Sequence, residues 1–283
     1  MTTGTRRRSI LSLFGLWTAQ QIRQLLRNRE ASFFTVVFPL LFLVLFAGLN
    51  RGGKVEVPGG RVAFAQYFTP SIATFAVVTS CFTSLVISVA LERDQLILKR
   101  VRSTPLPPAV YIGSRIAATV ALATATAVVL FGVGVLAFGV HVYARMLPAA
   151  IVTFLLGTAT FAALGMAVSS LVPNGDSAPA MANIVALPMT FISGVFFPMA
   201  GAPGWLVKIA NVLPLIHLVN AFGRPFNPYT QGSGFAVHEL VPLAIWGIAA
   251  AVFAVRTFRW EPAPGRARRG RTRQGMATGS GSA

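Results

Sequence analysis

Six stretches of this chain run for about 20 residues with almost no charge, and they constrain its fold more than any motif does. They cover approximately 31–49, 67–91, 111–140, 149–172, 180–198 and 237–255. A hydrocarbon core of about 30 Å is crossed by about 20 residues of helix. Lipid offers backbone groups no partner, so helices, which satisfy their own, are the expected form. The composition agrees, because 54% hydrophobic and 11% charged residues leave more apolar surface than a soluble chain of 283 residues buries. The expected fold is all-α and integral to a membrane, with six transmembrane helices.

The segments between and around these runs refine that picture. Ile10, Leu13, Phe14, Trp17 and Leu25 share one helical arc opposite Arg23 and Arg27, so residues 1–30 are read as a cytoplasmic tail with an amphipathic interfacial helix. No small-residue cleavage site follows the short apolar stretch, which argues against a signal peptide. The transmembrane domain is expected over 31–258. Pro39 is expected to kink its first span, and 50–66 reads as a Gly-rich loop. Arg115, near the start of the third span, is expected to snorkel toward headgroups. Gly157 and Gly165 allow close helix approach in the fourth, and Pro173-Asn174-Gly175-Asp176 is a turn. Pro188 and Gly194 interrupt the fifth. Between spans five and six, 203–224 contains an uncharged piece, 209–223, of only 15 residues with Pro214 and His217 inside, which is short for a span and suits an outer re-entrant hairpin. Residues 259–283 form a basic tail expected to be disordered.

Charge sets the orientation. With six spans, 18 of the 24 Lys and Arg residues fall on the side of both termini and the 92–108 loop, and six fall on the other. The positive-inside rule then places both termini in the cytoplasm. The net charge of +17 is thus accounted for by a membrane surface, and nucleic acid is not an expected partner. Arginine outnumbers lysine 21 to three, in keeping with a GC-rich bacterial source, so a bacterial plasma membrane is the expected location.

Little in the chain can do chemistry. Cys81 is the single cysteine, and His141, His217 and His238 lack ligand spacing, so no metal site is expected. Gly48-Leu-Asn-Arg-Gly-Gly-Lys54 resembles a phosphate-binding loop, yet Val55 stands where a Mg²⁺-binding hydroxyl should be and no strand precedes it. No carboxylate is read within the spans, which disfavours a proton-coupled antiporter. The hydroxyls of Thr79, Ser80, Thr83, Ser84 and Ser193 have no acid or histidine at their depth to activate them, so helix packing is the preferred reading. An external source of energy becomes the economical expectation.

Glu92-Arg-Asp-Gln-Leu-Ile-Leu-Lys-Arg-Val-Arg-Ser-Thr-Pro-Leu-Pro-Pro108 is the one charged, patterned stretch between two long apolar runs. Its pattern alone fits either a basic cytoplasmic loop or a contact surface for a separate motor. Glu92-Arg93-Asp94, Leu98-Lys99-Arg100-Val101-Arg102, Thr104-Pro105-Leu106-Pro107 and Tyr111-Ile112-Gly113 resemble the first cytoplasmic loop of the type-two ABC exporter permeases, where glycine is usual at the position of Leu96. Leu187-Pro188-Met189, Ser193-Gly194-Val195-Phe196-Phe197-Pro198, Pro203-Gly204-Trp205-Leu206 and Leu213-Pro214-Leu215-Ile216-His217 resemble that family's closing motif. The order of motifs is preserved from about 30 to 255.

The resemblance implies a transport subunit without its own ATPase site, working with an ATP-binding cassette subunit that holds ATP and Mg²⁺ and with a second permease copy or paralogue. It implies that Glu92, Arg93, Leu98, Lys99, Arg100, Thr104 and Pro105 couple to the motor. Gly194, Pro198, Trp205, Pro214 and His217 would form the outer gate and re-entrant segment, and Thr79, Thr83, Asn183 and Phe191 are candidates for the pathway. The implied cargo is a hydrophobic drug or antibiotic, as in daunorubicin-type exporters. A lipid or lipid-linked oligosaccharide is the alternative cargo, and a non-transporting membrane anchor or assembly protein the alternative class.

Overall fold

A computed structural model describes residues 10–27, 33–102, 108–199 and 201–257. Arg6–Arg8, Thr104, Pro105 and the 259–283 tail lie outside the described residues. The described chain opens with α1 (Ile10–Arg27), then a π-helical turn Phe33–Val37 leading into α2 (Phe38–Leu49). Pro39 stands where the π-helical turn gives way to α2, so the helix changes its hydrogen-bonding pitch at the proline.

The 50–66 segment departs from the expected plain loop. Lys54–Val57 (β1) and Gly60–Ala63 (β2) pair antiparallel, with Val57 opposite Gly60. Lys-Val-Glu-Val alternates polar and apolar, and Pro58-Gly59 closes the turn with Gly59 at φ +98°. Lys54 therefore starts a strand after a membrane helix, the reverse of a phosphate-binding loop, in which a strand leads into the Gly-rich turn and a helix follows.

The central element follows. Helix α3 (Phe64–Asp94) carries a π-helical segment, Val78–Thr83, in its middle. α4 (Ile97–Arg102), α5 (Pro108–Phe138), α6 (Leu147–Leu171) and α7 (Ala178–Ile192) come next. The chain ends its described part with α8 (Gly204–Ala210), α9 (Pro214–Gly223) and α10 (Val237–Thr257).

Helix α3 is the axle of the bundle: 72% of its most apolar window is buried, against 17% for α10. It packs against α2, α5, α6, α7 and α9, and α10 lies along α6. Two groups of phenylalanines fill the gaps, Phe42, Phe75 and Phe196 on one side and Phe131, Phe222 and Phe226 on another. At Gly165 of α6 a Cβ would stand 2.8 Å from the Cys81 carbonyl oxygen, so only glycine lets α6 rest on the π-helical segment.

Among the described residues four helices are long and apolar enough to cross a membrane, Phe64–Asp94, Val110–Phe138, Ala144–Leu171 and Val237–Thr257. The bent pair Gly204–Ala210 and Pro214–Phe226, with 93° between its arms, would make five if it were one span. The sequence reading counted six. Its first span is the shorter apolar helix Thr35–Leu49, and its fifth, expected to reach residue 198, ends at Ile192 because Gly194 takes φ +76°. The chain is a multi-pass, mostly helical membrane protein with one small hairpin.

The elements gather at two ends. At one, Gln21 of α1, Glu92 of α3 and Arg115 of α5 meet, and Ser170 of α6 bonds Thr257 of α10. At the other sit the hairpin, the start of α3 and the start of α10.

Candidate functional site

Three consecutive charged residues finish α3, and each grips a different neighbour. Successive side chains on a helix point about 100° apart, so Glu92, Arg93 and Asp94 can reach three directions at one level. The Glu92 carboxylate accepts from the Arg115 guanidinium and from the Tyr111 hydroxyl, both on α5. Arg115 also donates to Gln21 Oε1 at 2.9 Å, and the Trp17 ring stands edge-on to Tyr111 at 6.0 Å, which draws α1 into the same cluster. Arg93 donates to the carbonyls of Ser169, at 3.1 Å, and Val172, occupying acceptors that the C-terminus of α6 cannot satisfy itself. Asp94 accepts from the Gly175 N–H at the turn that starts α7. The turn sits so close that a Cβ on Gly175 would stand 2.8 Å from Leu91 Cδ2.

Glu92, Arg93 and Arg115 are all buried. A buried charge is tolerated when paired and hydrogen-bonded, and this cluster supplies both. One expectation is corrected here. Arg115 does not snorkel to a headgroup, since the Glu92 carboxylate holds it inside. Glu92 and Arg93, offered by the sequence as motor contacts, have their side chains committed to the junction.

The chain then reverses. Leu96 has φ +59°, the one non-glycine residue with positive φ among the described residues, at the position where the resembled permeases usually carry glycine. That left-handed residue separates α3 from α4. On α4, Leu98 is fully buried and anchors the helix to the core, while Lys99 and Arg100 are exposed. The result is a short basic helix set on a junction that holds α1, α3, α5, α6 and the turn before α7.

The residues offered for the pathway sit on two packed elements. Thr79 and Thr83 belong to the π-helical segment and are half-buried; the Thr79 hydroxyl donates to the Phe75 and Ala76 carbonyls at 3.1 and 3.2 Å. Asn183 and Phe191 are on α7, which packs against that segment, and both are exposed beside Ile184 and Leu187.

At the hairpin end, the Gly194 carbonyl accepts from the Tyr67 hydroxyl at 2.6 Å, Pro198 is half-buried and Trp205 is exposed. Pro214 starts α9 at a buried position. His217 pairs through Nδ1 with Glu239, whose other oxygen accepts from Asn220 Nδ2 at 2.9 Å. Glu239 is in the first turn of α10, inside a span that the sequence reading left without a carboxylate. Gln66 bonds the His141 carbonyl at 2.9 Å and the Phe226 carbonyl at 2.7 Å, fixing the start of α3 to two loops. Among the described residues no group of three His, Cys, Asp or Glu side chains could hold a metal ion.

Sequence reasoning missed Arg115, Tyr111, Gln21 and Glu239 as partners. A charge inside an apolar run was the available signal for Arg115 and Glu239. None existed for Gln21, which reaches Arg115 across 94 positions of sequence.

The family described as ABC-2 type transporter matches residues 12–223. Nodulation protein J of Rhizobium meliloti (strain 1021) is 31% identical over 194 residues, covering 66% of this chain and 70% of that protein. Daunorubicin resistance ABC transporter permease protein DrrB1 of Streptomyces coeruleorubidus is 27% identical over 192 residues, 66% of this chain and 65% of its own. Inner membrane transport permease YadH of Escherichia coli (strain K12) is 18% identical over 217 residues, 76% and 83% of the two chains.

Proposed function

The chain belongs to the ABC-2 type transporter family, and from that premise we propose that it is the membrane permease subunit of an ATP-driven exporter of hydrophobic drugs or antibiotics. Likeness to a daunorubicin resistance permease supports the cargo class. ATP and Mg²⁺ belong to a separate ATP-binding cassette subunit, and a second permease copy completes the pathway. The exposed apolar residues of α2, α5 and α7, such as Leu45, Leu136 and Ile184, suit lipid or that second copy. The membrane is a bacterial plasma membrane, with both termini in the cytoplasm.

The topology is six spans. Helices α2 and α7 complete the count, extended by the π-helical turn at 33–37 and the turns at 193–199. The α8–α9 pair is re-entrant, a reading supported by Tyr67 and Gln66, which hold Gly194 and Phe226, on either side of the pair, at one end of the bundle. An even number of crossings suits α1 and Thr257 lying at the opposite end together.

The single observation that carries the motor reading is the exposed basic helix α4 standing on the Glu92–Arg93–Asp94 junction. Lys99 and Arg100 are the contacts; Glu92 and Arg93 are positioning residues behind them. Thr104 and Pro105 are proposed to continue the contact surface. Closure of the motor around ATP pushes α4, and Leu98 and the junction pass the displacement to α3, α5 and α6 as rigid bodies. At the far end Gly194, Pro198, Trp205, Pro214 and His217 form the gate, and Thr79, Thr83, Asn183 and Phe191 line the pathway. Opening is alternating access.

The test is co-purification with an ATP-binding protein encoded beside this chain. Wild type gives a stoichiometric complex, and Lys99→Glu with Arg100→Glu loses it while the permease keeps its thermal stability. Failure to find a complex with any ATPase overturns the exporter reading in favour of a membrane anchor.

A further inference from the structure

A cavity of about 640 Å³ opens at the hairpin end, away from the motor-facing junction. Its walls come from the start of α3, the end of α9, the start of α10 and the hairpin. The roof is fastened: Tyr229 packs on the turn so tightly that a Cβ on Gly60 would lie 2.6 Å from its Cζ, and its hydroxyl donates to the Arg61 carbonyl at 3.2 Å. Asn227 holds the Pro58 carbonyl at 2.9 Å. The floor is fixed by Gln66.

The lining carries two charged side chains, Arg224 and Glu239. Arg224, half-buried in the wall, has no hydrogen-bond or ion-pair partner for its guanidinium among the described residues. The Glu239 carboxylate, also in the lining, makes its close contacts with His217 and Asn220 and none with Arg224. The free complement of an unpaired guanidinium is an anion, held by its planar fork. Gln231 and the oxygen of the Asn220 amide, also in the lining, offer partners for hydroxyls beside that anion.

A second observation says what kind of molecule carries the anion. His238 lines the cavity, and Val241, Ile245 and Ile248 follow it on the same helical face at three- and four-residue spacing. All three are more than half exposed, forming an apolar track that descends from the cavity along α10. A polar pocket at the end of a spanning helix with an apolar track below it matches a headgroup and its acyl chain.

We propose that this cavity is a receptor site for the anionic, hydroxyl-bearing headgroup of an amphiphile, with Arg224 as the anion contact and Val241, Ile245 and Ile248 along its chain. The site needs no motor, so its test stands apart from the exporter reading. Titration of the purified full chain in non-ionic detergent with dihexanoyl phosphatidylglycerol measures it, with dihexanoyl phosphatidylcholine and glycerol 3-phosphate as comparators. The phosphatidylglycerol binds in preference to both. Arg224→Gln lowers its affinity about tenfold or more, as expected for loss of a charge-assisted hydrogen bond, and Arg224→Lys falls between. Ile245→Asn weakens the lipid and leaves glycerol 3-phosphate unchanged, and Lys208→Gln, outside the lining, alters neither. Equal binding of the phosphatidylcholine, equal affinity in Arg224→Gln, or glycerol 3-phosphate binding as tightly as the lipid overturns the proposal.

Discussion

The junction at the end of α3 makes its sharpest claim through one pair. Glu92 and Arg115 have side chains only 8% and 6% exposed, so neither charge is screened by water. Removing one partner of a buried pair costs about 3–5 kcal/mol, because the survivor is left uncompensated. Glu92→Leu strands Arg115 with Gln21 alone and leaves the Tyr111 hydroxyl without an acceptor. Arg115→Met strands the carboxylate on that one hydroxyl. Replacing both removes the desolvated charges together, and apolar substitution of a buried pair is often neutral or stabilising. The orphaned Tyr111 hydroxyl takes back about 1–3 kcal/mol, so the double variant is expected within about 2 kcal/mol of wild type. The coupling energy is then roughly 4 kcal/mol or more, from about 3–5 for each single. Thermal unfolding in detergent reads this out, with each single lowering Tm by roughly 6–15 °C and the double recovering most of it. Singles within about 3 °C of wild type, or a double equal to the sum of its parts, would show that the pair is not the buried brace described.

Other positions carry independent expectations. Leu96→Gly relieves a left-handed residue that costs about 1–2 kcal/mol, set against about 0.5–1 kcal/mol of extra chain entropy, so Tm rises slightly, whereas Leu96→Val lowers it. Gly165→Ala forces a methyl against the Cys81 carbonyl at 2.8 Å, and since backbone cannot step aside, a loss of about 1–3 kcal/mol in unfolding stability is expected. Gly157→Ala meets only the end of the Leu218 side chain, so Leu218→Ala restores part of its loss, while no single side-chain trim restores Gly165→Ala.

What could be read from the sequence follows from the range over which each signal acts. Helix lengths in apolar runs are local, and α5, α6 and α10 fall within a few residues of the runs that announced them. The amphipathic arc of α1 was equally plain, although its buried Gln21 belongs to a long-range contact that no wheel displays. The hairpin was legible too: Lys54-Val-Glu-Val followed by Pro58-Gly59 is strand alternation and turn chemistry, obscured by attention to the glycines. Partnerships were not legible. Glu92 and Arg115 are 23 positions apart and Gln66 and Phe226 160 apart, and which of many polar residues meet depends on the rotation and depth of whole helices.

The same distinction bears on the 92–108 motif, whose first three charges form a brace. A run of charges looks alike on a solvated face and on a helix end where three helices converge. What separates them is the neighbours' need: α6 ends with carbonyls lacking donors, α7 begins with an N–H lacking an acceptor, and α5 brings a buried cation. Arg93, Asp94 and Glu92 meet those three needs respectively, from consecutive positions on one helix, and after the left-handed turn at Leu96 the charges of Lys99 and Arg100 face outward. A thrust from the proposed motor on Lys99 and Arg100 would reach this braced junction through the turn at Leu96 and the buried Leu98. The irregular part of α3 is the π-helical segment Val78–Thr83, where Thr79 turns its hydroxyl back on the Phe75 and Ala76 carbonyls and Gly165 keeps α6 in close contact. Displacement delivered at the junction is thus expected to emerge as bending at that depth, beside α7, where the residues proposed for the pathway lie.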